Sequence, residues 1–138
     1  MVLADLGRFD ECRSVLEQYG DSGALTGGEG VLQFMTPAFY AETLIALGDR
    51  VEAERLYRAM EGAAGRTIAM FSGTAFYGSG SLYLGRLATM LGRHDEATEH
   101  LETAERHHRL VDAAPYRLRS LVARADLDEL TGLSLIHI

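Results

Sequence analysis

Four of the five histidines, His94, His100, His107 and His108, fall between positions 94 and 108, and metal binding is the first chemistry they suggest. Zinc held by one helix wants ligands on successive turns, four residues apart. His100 and His107 are seven apart, which separates them by about 10 Å along a helix axis, too far for one ion. A weak surface site joining His100 to His94 or Glu96 is the remaining option, and a solvated polar helix face is the expectation. Gly78-Ser79-Gly80 suggests a phosphate cradle, with the apolar run Thr67 to Phe71 imitating a preceding strand. The dinucleotide fingerprint requires a third glycine where Tyr83 stands, and no strand–helix–strand unit surrounds the run. Gly80 and Gly85 fit better as points of close helix packing.

The remaining reactive side chains fare no better. Ser72, Ser79 and Ser81 lack the Gly-x-Ser-x-Gly frame of a nucleophile elbow. Asp95 and Glu96 are adjacent, so a helix points them to different sides and they cannot flank one substrate atom. Arginines 93, 106, 109, 117, 119 and 124 are matched in number by Asp95, Glu96, Glu99, Glu102, Glu105 and Asp112, leaving no net field for nucleic acid. Pairs such as Glu102 with Arg106 are expected on a solvated face. No catalytic, cofactor-binding or metal-ligating residue is therefore assigned, and an enzyme is not expected.

Composition supports the same direction. The 138 residues carry a net charge of -7, and all 13 basic residues are arginine. The absence of lysine removes the P-loop lysine and Schiff-base chemistry together. The charge disfavours non-specific binding to nucleic acid or an anionic membrane. Cys12 is the only cysteine, so neither a disulfide framework nor a Cys-rich zinc site is expected. With no signal-peptide pattern and no long apolar run, the expected location is cytoplasmic. Abundant Ala, Gly and Arg without Lys or Asn suggest a GC-rich bacterial source.

The elements that position these residues come from a repeat. Leu6-Gly7-Arg8-Phe9-Asp10-Glu11-Cys12, Leu47-Gly48-Asp49-Arg50-Val51-Glu52-Ala53 and Leu91-Gly92-Arg93-His94-Asp95-Glu96-Ala97 align without gaps. Leu16, Tyr57 and Leu101 then share one position, and Tyr19, Met60 and Ala104 another. A weaker fourth copy begins at Thr131-Gly132. Each glycine suits the left-handed end of a first helix, the polar residue after it a cap, and the early Glu the positive end of a second helix. Small Cys12, Ala53 and Ala97 allow that helix to lie close against the first.

The pattern predicts an all-α fold of helical-hairpin repeats, an α-solenoid segment. Residues 1–132 form the array, with repeats at about 1–20, 31–61 and 74–110 and a partial one at 113–132. Helices are expected over 1–6, 9–19, 31–47, 50–60, 75–91, 94–110 and 115–130, with connections at 20–30 and 61–73. Residues 133–138 break the pattern and read as a non-native tail, and the chain reads as a fragment. Alignment at the glycines makes Phe39 equivalent to Tyr83 and Glu42 to Arg86. First helices of stacked hairpins line an inner surface, so these four are the candidate partner groove, with a core pair and a surface ion pair as the alternative.

The stretch Tyr83-Leu84-Gly85-Arg86-Leu87-Ala88 through Leu91–Ala97 to Leu101-Glu102-Thr103-Ala104 resembles a known class of repeat. It is similar to the C-terminal tetratricopeptide-like region of large bacterial ATP-binding signalling proteins, such as LuxR-type transcriptional regulators and class III adenylate cyclases with an ATPase module. Ala64-Gly65-Arg66 and Ala114-Pro115-Tyr116-Arg117-Leu118 match the same style, and the resemblance covers roughly residues 40 to 130. It implies a scaffold for signal transduction or transcription regulation, binding a protein, a peptide or a neighbouring domain without direct nucleic-acid contact. No Walker motif, cyclase motif or recognition helix matches any position here. Self-association through incomplete end repeats is a further expectation.

Overall fold

The computed structural model describes residues 36–70 and 75–132 continuously, together with residues 7, 8, 10, 11, 13 and 14. The expected helix over 1–6, most of its partner at 9–19, the loop 20–30, the start of the helix at 31–35 and the tail 133–138 lie outside the described residues. Within the first repeat, Gly7 has a φ of 72° and Asp10, Glu11, Arg13 and Ser14 are helical, as the alignment requires.

The described elements are α1 (Thr36–Leu47), α2 (Arg50–Met60), a 3-10 turn (Glu61–Ala63), β1 (Thr67–Met70), β2 (Ala75–Ser79), α3 (Gly80–Met90), α4 (His94–Leu110) and α5 (Ala114–Thr131). The turns between paired helices are closed as the repeated Leu-Gly demands. Gly48 and Gly92 take φ values of 68° and 77°, a region that costs a side-chain-bearing residue and not glycine. That geometry lets the N–H of Asp49 reach the carbonyl of Leu44 at 3.2 Å, and the N–H of Arg93 reach Ala88 at 2.9 Å, satisfying carbonyls orphaned at the helix end. Asp49 then caps α2, its Oδ1 accepting from the N–H of Glu52 at 3.2 Å.

The small-residue rule also has its reason in the packing. Ala53 and Ala97 are wholly buried, as are Leu101 and Ala104. At Gly85 an added Cβ would stand 2.6 Å from Leu101 Cγ, and at Gly80 one would stand 2.3 Å from the carbonyl oxygen of Ala63. α3 forms the spine: it touches α1, α2, α4 and α5. Its Leu82, Leu84 and Leu87 are fully enclosed, each worth about 1.5–3 kcal/mol over an exposed side chain.

One expectation is corrected. The helix expected from residue 75 starts at Gly80, and Ala75–Ser79 forms a strand paired antiparallel with Thr67–Met70. The register pairs Thr67 with Ser79 and Ala69 with Phe76, with an irregularity between Thr67 and Ala69. This hairpin is inserted between two repeats of an otherwise helical fold, and helix side chains hold it. Tyr116 Oη donates to the carbonyl of Phe76 at 2.8 Å, Tyr83 Oη to that of Tyr77 at 2.6 Å, and the N–H of Ser79 donates to His108 Nε2 at 2.8 Å.

Candidate functional site

Repeat geometry places one residue of each first helix on a common surface. Glu42 of α1, Arg86 of α3 and Asp126 of α5 each stand six positions before the turn glycines Gly48, Gly92 and Gly132. All three line a single open cleft of about 390 Å³, with Leu118, Arg119, Val122 and Ala123 completing its wall. The Arg86 guanidinium donates to Glu42 Oε1, and Arg119 Nη2 reaches the same oxygen at 2.8 Å. Arg119 also lies over the Tyr116 ring, 5.6 Å from its centroid. The cleft thus carries a carboxylate clamped by two arginines, a second carboxylate at Asp126 with no ion pair among the described residues, and an apolar rim.

The aromatic pair goes elsewhere. Tyr83 is 2% exposed, and burial pushes its hydroxyl up to about 12. Phe39 is half-buried and meets Tyr77 edge-on at 5.2 Å. The structure brings Glu42 and Arg86 together and sets Phe39 and Tyr83 around Tyr77, away from the cleft lining. Of the residues sequence reasoning missed, Asp126 was within reach, since extending the alignment to Gly132 puts it in the Glu42–Arg86 row. Arg119 is thirteen positions before that glycine and has no repeat signal.

Second helices meet through a polar joint. Arg93 Nη2 reaches both carboxylate oxygens of Glu54, at 2.6 and 2.7 Å, and its guanidinium lies 4.9 Å over the Tyr57 ring. The Arg93 hydrogen bond holds the Glu54 carboxyl below its usual range. Tyr57 Oη donates to Glu96 at 2.7 Å and lies 3.0 Å from His100 Nε2. Burial first, then Glu96, pushes that hydroxyl up to about 12. Among the described residues no three His, Cys, Asp or Glu side chains converge as a metal site would require. Glu102, expected to pair along its own helix with Arg106, instead takes Arg124 of α5 at 3.2 Å.

The histidine run is corrected at its end. His108 is not on a solvated face but fully buried where α4, α5 and β2 meet. Its Nε2 accepts from Ser79, so the ring proton sits on Nδ1 and donates to Ser120 Oγ at 2.9 Å, which donates in turn to the Tyr116 carbonyl at 3.1 Å. Burial, then neighbouring His107, pulls the imidazole down to about 4. Ser79, Ser120 and His108 are each without exposed surface, so this hydroxyl–imidazole contact serves packing and offers no reacting atom to a substrate.

A family model for the tetratricopeptide repeat matches residues 1–18, 38–59 and 79–103. No curated protein and no solved structure matches the chain. Tetratricopeptide repeats generally mediate protein–protein interaction and are typically non-catalytic. No helix among the described residues is long and apolar enough to cross a membrane. Three matched segments, left-handed glycines closing hairpin after hairpin, and buried alanines between their helices together identify a tetratricopeptide-like repeat region in an all-α helical-repeat fold.

Proposed function

We propose that the chain is a non-catalytic regulatory scaffold of a larger bacterial signalling protein, and that the Glu42–Arg86–Asp126 cleft receives a segment of a partner protein or a neighbouring domain. The observation that carries this reading is the convergence of one repeat position from the first helices of three successive repeats on one open cleft. A charged floor with an apolar rim suits an amphipathic peptide, whose apolar side chains settle on Leu118 and Val122 while its polar groups meet Arg119 and Asp126. A peptide carboxylate can replace Glu42 on Arg119, the more exposed of the two arginines.

The test is selection of peptides from a random library on the 138-residue chain, with affinities then measured on Arg86→Ala and Asp126→Ala. Cleft binders should weaken about tenfold on either variant, equivalent to about 1.4 kcal/mol. Selected peptides that bind both variants as tightly as the parent chain would refute the cleft as the site. The regulatory part of the proposal, in a transcriptional regulator or an adenylate cyclase-type protein, is supported by the resemblance of Tyr83–Ala104. A helix-turn-helix or cyclase domain in the same reading frame would decide between them, and the absence of both would leave an adaptor. Self-association through the end repeats belongs to the same reading.

A further inference from the structure

Helix α5 has two apolar sides. Ser120, Ala123 and Leu127 are buried against the rest of the molecule. Diametrically opposite, Leu118, Leu121 and Val122 are 62%, 43% and 52% exposed, and exposed Ala125 continues the stripe. Spacing of three and four residues puts these on one helix face.

The charges on α5 run the wrong way for a helix standing alone. Arg117, Arg119 and Arg124 lie in its first two thirds and Asp126, Asp128 and Glu129 near its end, with no acidic residue in the first turn and no basic one in the last. A helix favours the reverse order, since its N-terminus is positive and its C-terminus negative. α4 obeys that rule, with Asp95 and Glu96 first and His107, His108 and Arg109 last. Within the chain Arg119 bonds to Glu42 and Arg124 to Glu102, but among the described residues no ion pair joins Arg117, Asp126, Asp128 or Glu129.

We infer that the outer stripe of α5 is a homodimer interface, on which α5 of a second copy packs antiparallel. A crossing point between Leu121 and Val122 sets Leu118 of one helix opposite Ala125 of the other and Leu121 opposite Val122. The same placement lays the basic half of each helix along the acidic half of its neighbour, with Arg117 beside Asp128 on one flank and Arg119 beside Asp126 on the other. A charge order that complements itself on reversal fits a two-fold, self-complementary contact, and a partner of unrelated sequence has no need of it. The inference deepens the self-association named above and rests on it. It shares Leu118, Arg119, Val122 and Asp126 with the peptide cleft, so a second copy and a peptide would compete for that face, and its test reads mass rather than peptide affinity.

The experiment is sedimentation equilibrium of the full 138-residue chain from low to high micromolar concentration, with two single charge reversals. The parent chain should move from 15.1 kDa toward twice that mass as concentration rises, less readily at high salt. Arg117→Glu alone and Asp128→Arg alone should each dimerise about tenfold more weakly, because each places like charges together at both symmetry-related copies of the Arg117–Asp128 contact. Their equimolar mixture should recover association, since Glu at 117 then meets Arg at 128. Both reversals restore the charge order a helix prefers, so helicity and melting of the dilute variants should hold or improve, which separates lost pairing from lost folding. A chain that stays at 15.1 kDa throughout, a dimer indifferent to both reversals, or a mixture no better than its components would overturn the inference.

Discussion

At the scale of single residues, His108 and Asp112 carry the clearest consequences. His108 accepts a backbone N–H of β2 through Nε2, and a proton on that nitrogen would face Ser79 donor to donor. The unfolded chain takes up this proton near pH 6.5, the folded chain only near 4. Acidification between those values therefore favours unfolding; the stabilisation is complete above about pH 6.5 and is lost as pH falls through 4. Thermal melting of the parent chain and of His108→Gln should show a gap at pH 7 that narrows steadily toward pH 4. A constant gap would contradict the tautomer assigned here. Asp112 takes φ 51° just past the end of α4, the left-handed geometry that Gly48 and Gly92 supply at the ends of α1 and α3, and the N–H of Ala113 reaches the His108 carbonyl at 2.8 Å. Asp112→Gly should stabilise the fold by about 0.5–1 kcal/mol, read as a rise of a few degrees in melting temperature. Neither role was legible in sequence. His108 sits in a polar run between His107 and Arg109, and its burial depends on a strand that only the three-dimensional contact reveals.

At the scale of elements, the turn and the helix pairing were legible because the residues involved are chemically forced. A left-handed glycine after leucine, a capping Asp at 49 and alanine at 53 and 97 each have few substitutes in their geometry. The hairpin was hidden for the opposite reason. Ala75-Phe76-Tyr77 runs into the apolar sequence of α3, and a short apolar stretch has no period that separates strand from helix. Packing predictions belong here. Gly85→Ala should destabilise by about 1–3 kcal/mol, because Leu101 is fully enclosed and has no room to retreat from a Cβ at 2.6 Å. Chemical denaturation checks this, and a wild-type midpoint would show that α3 and α4 can separate freely. Arg50 ties neighbouring repeats by donating to the carbonyls of Met90 and Leu91 at 2.8 and 3.1 Å, closing the exposed end of α3. Arg50→Ala should cost about 1 kcal/mol, measured in the same way.

At the scale of the whole molecule, stability is the sum of hairpins and of the contacts between neighbours. α3 packs against all four other described helices, so damage at the α1–α2 pair should remain local while damage to α3 should not. Ala53→Phe should loosen α1 and α2 in hydrogen exchange and leave the amides of α4 and α5 protected; uniform loss of protection would show one cooperative unit. Half of the candidate groove was readable in sequence, because Glu42 and Arg86 occupy a repeated position, whereas its α5 wall depends on how the third hairpin meets the next helix. The inserted hairpin has a consequence of its own. Its carbonyls at Phe76 and Tyr77 are occupied by hydroxyls from α5 and α3, so helix side chains hold this part of β2. If α5 pulls away, a short aromatic strand is left with a vacant acceptor, a template for fibrillar growth. Tyr116→Phe would lower the threshold for such growth while leaving the helices nearly intact.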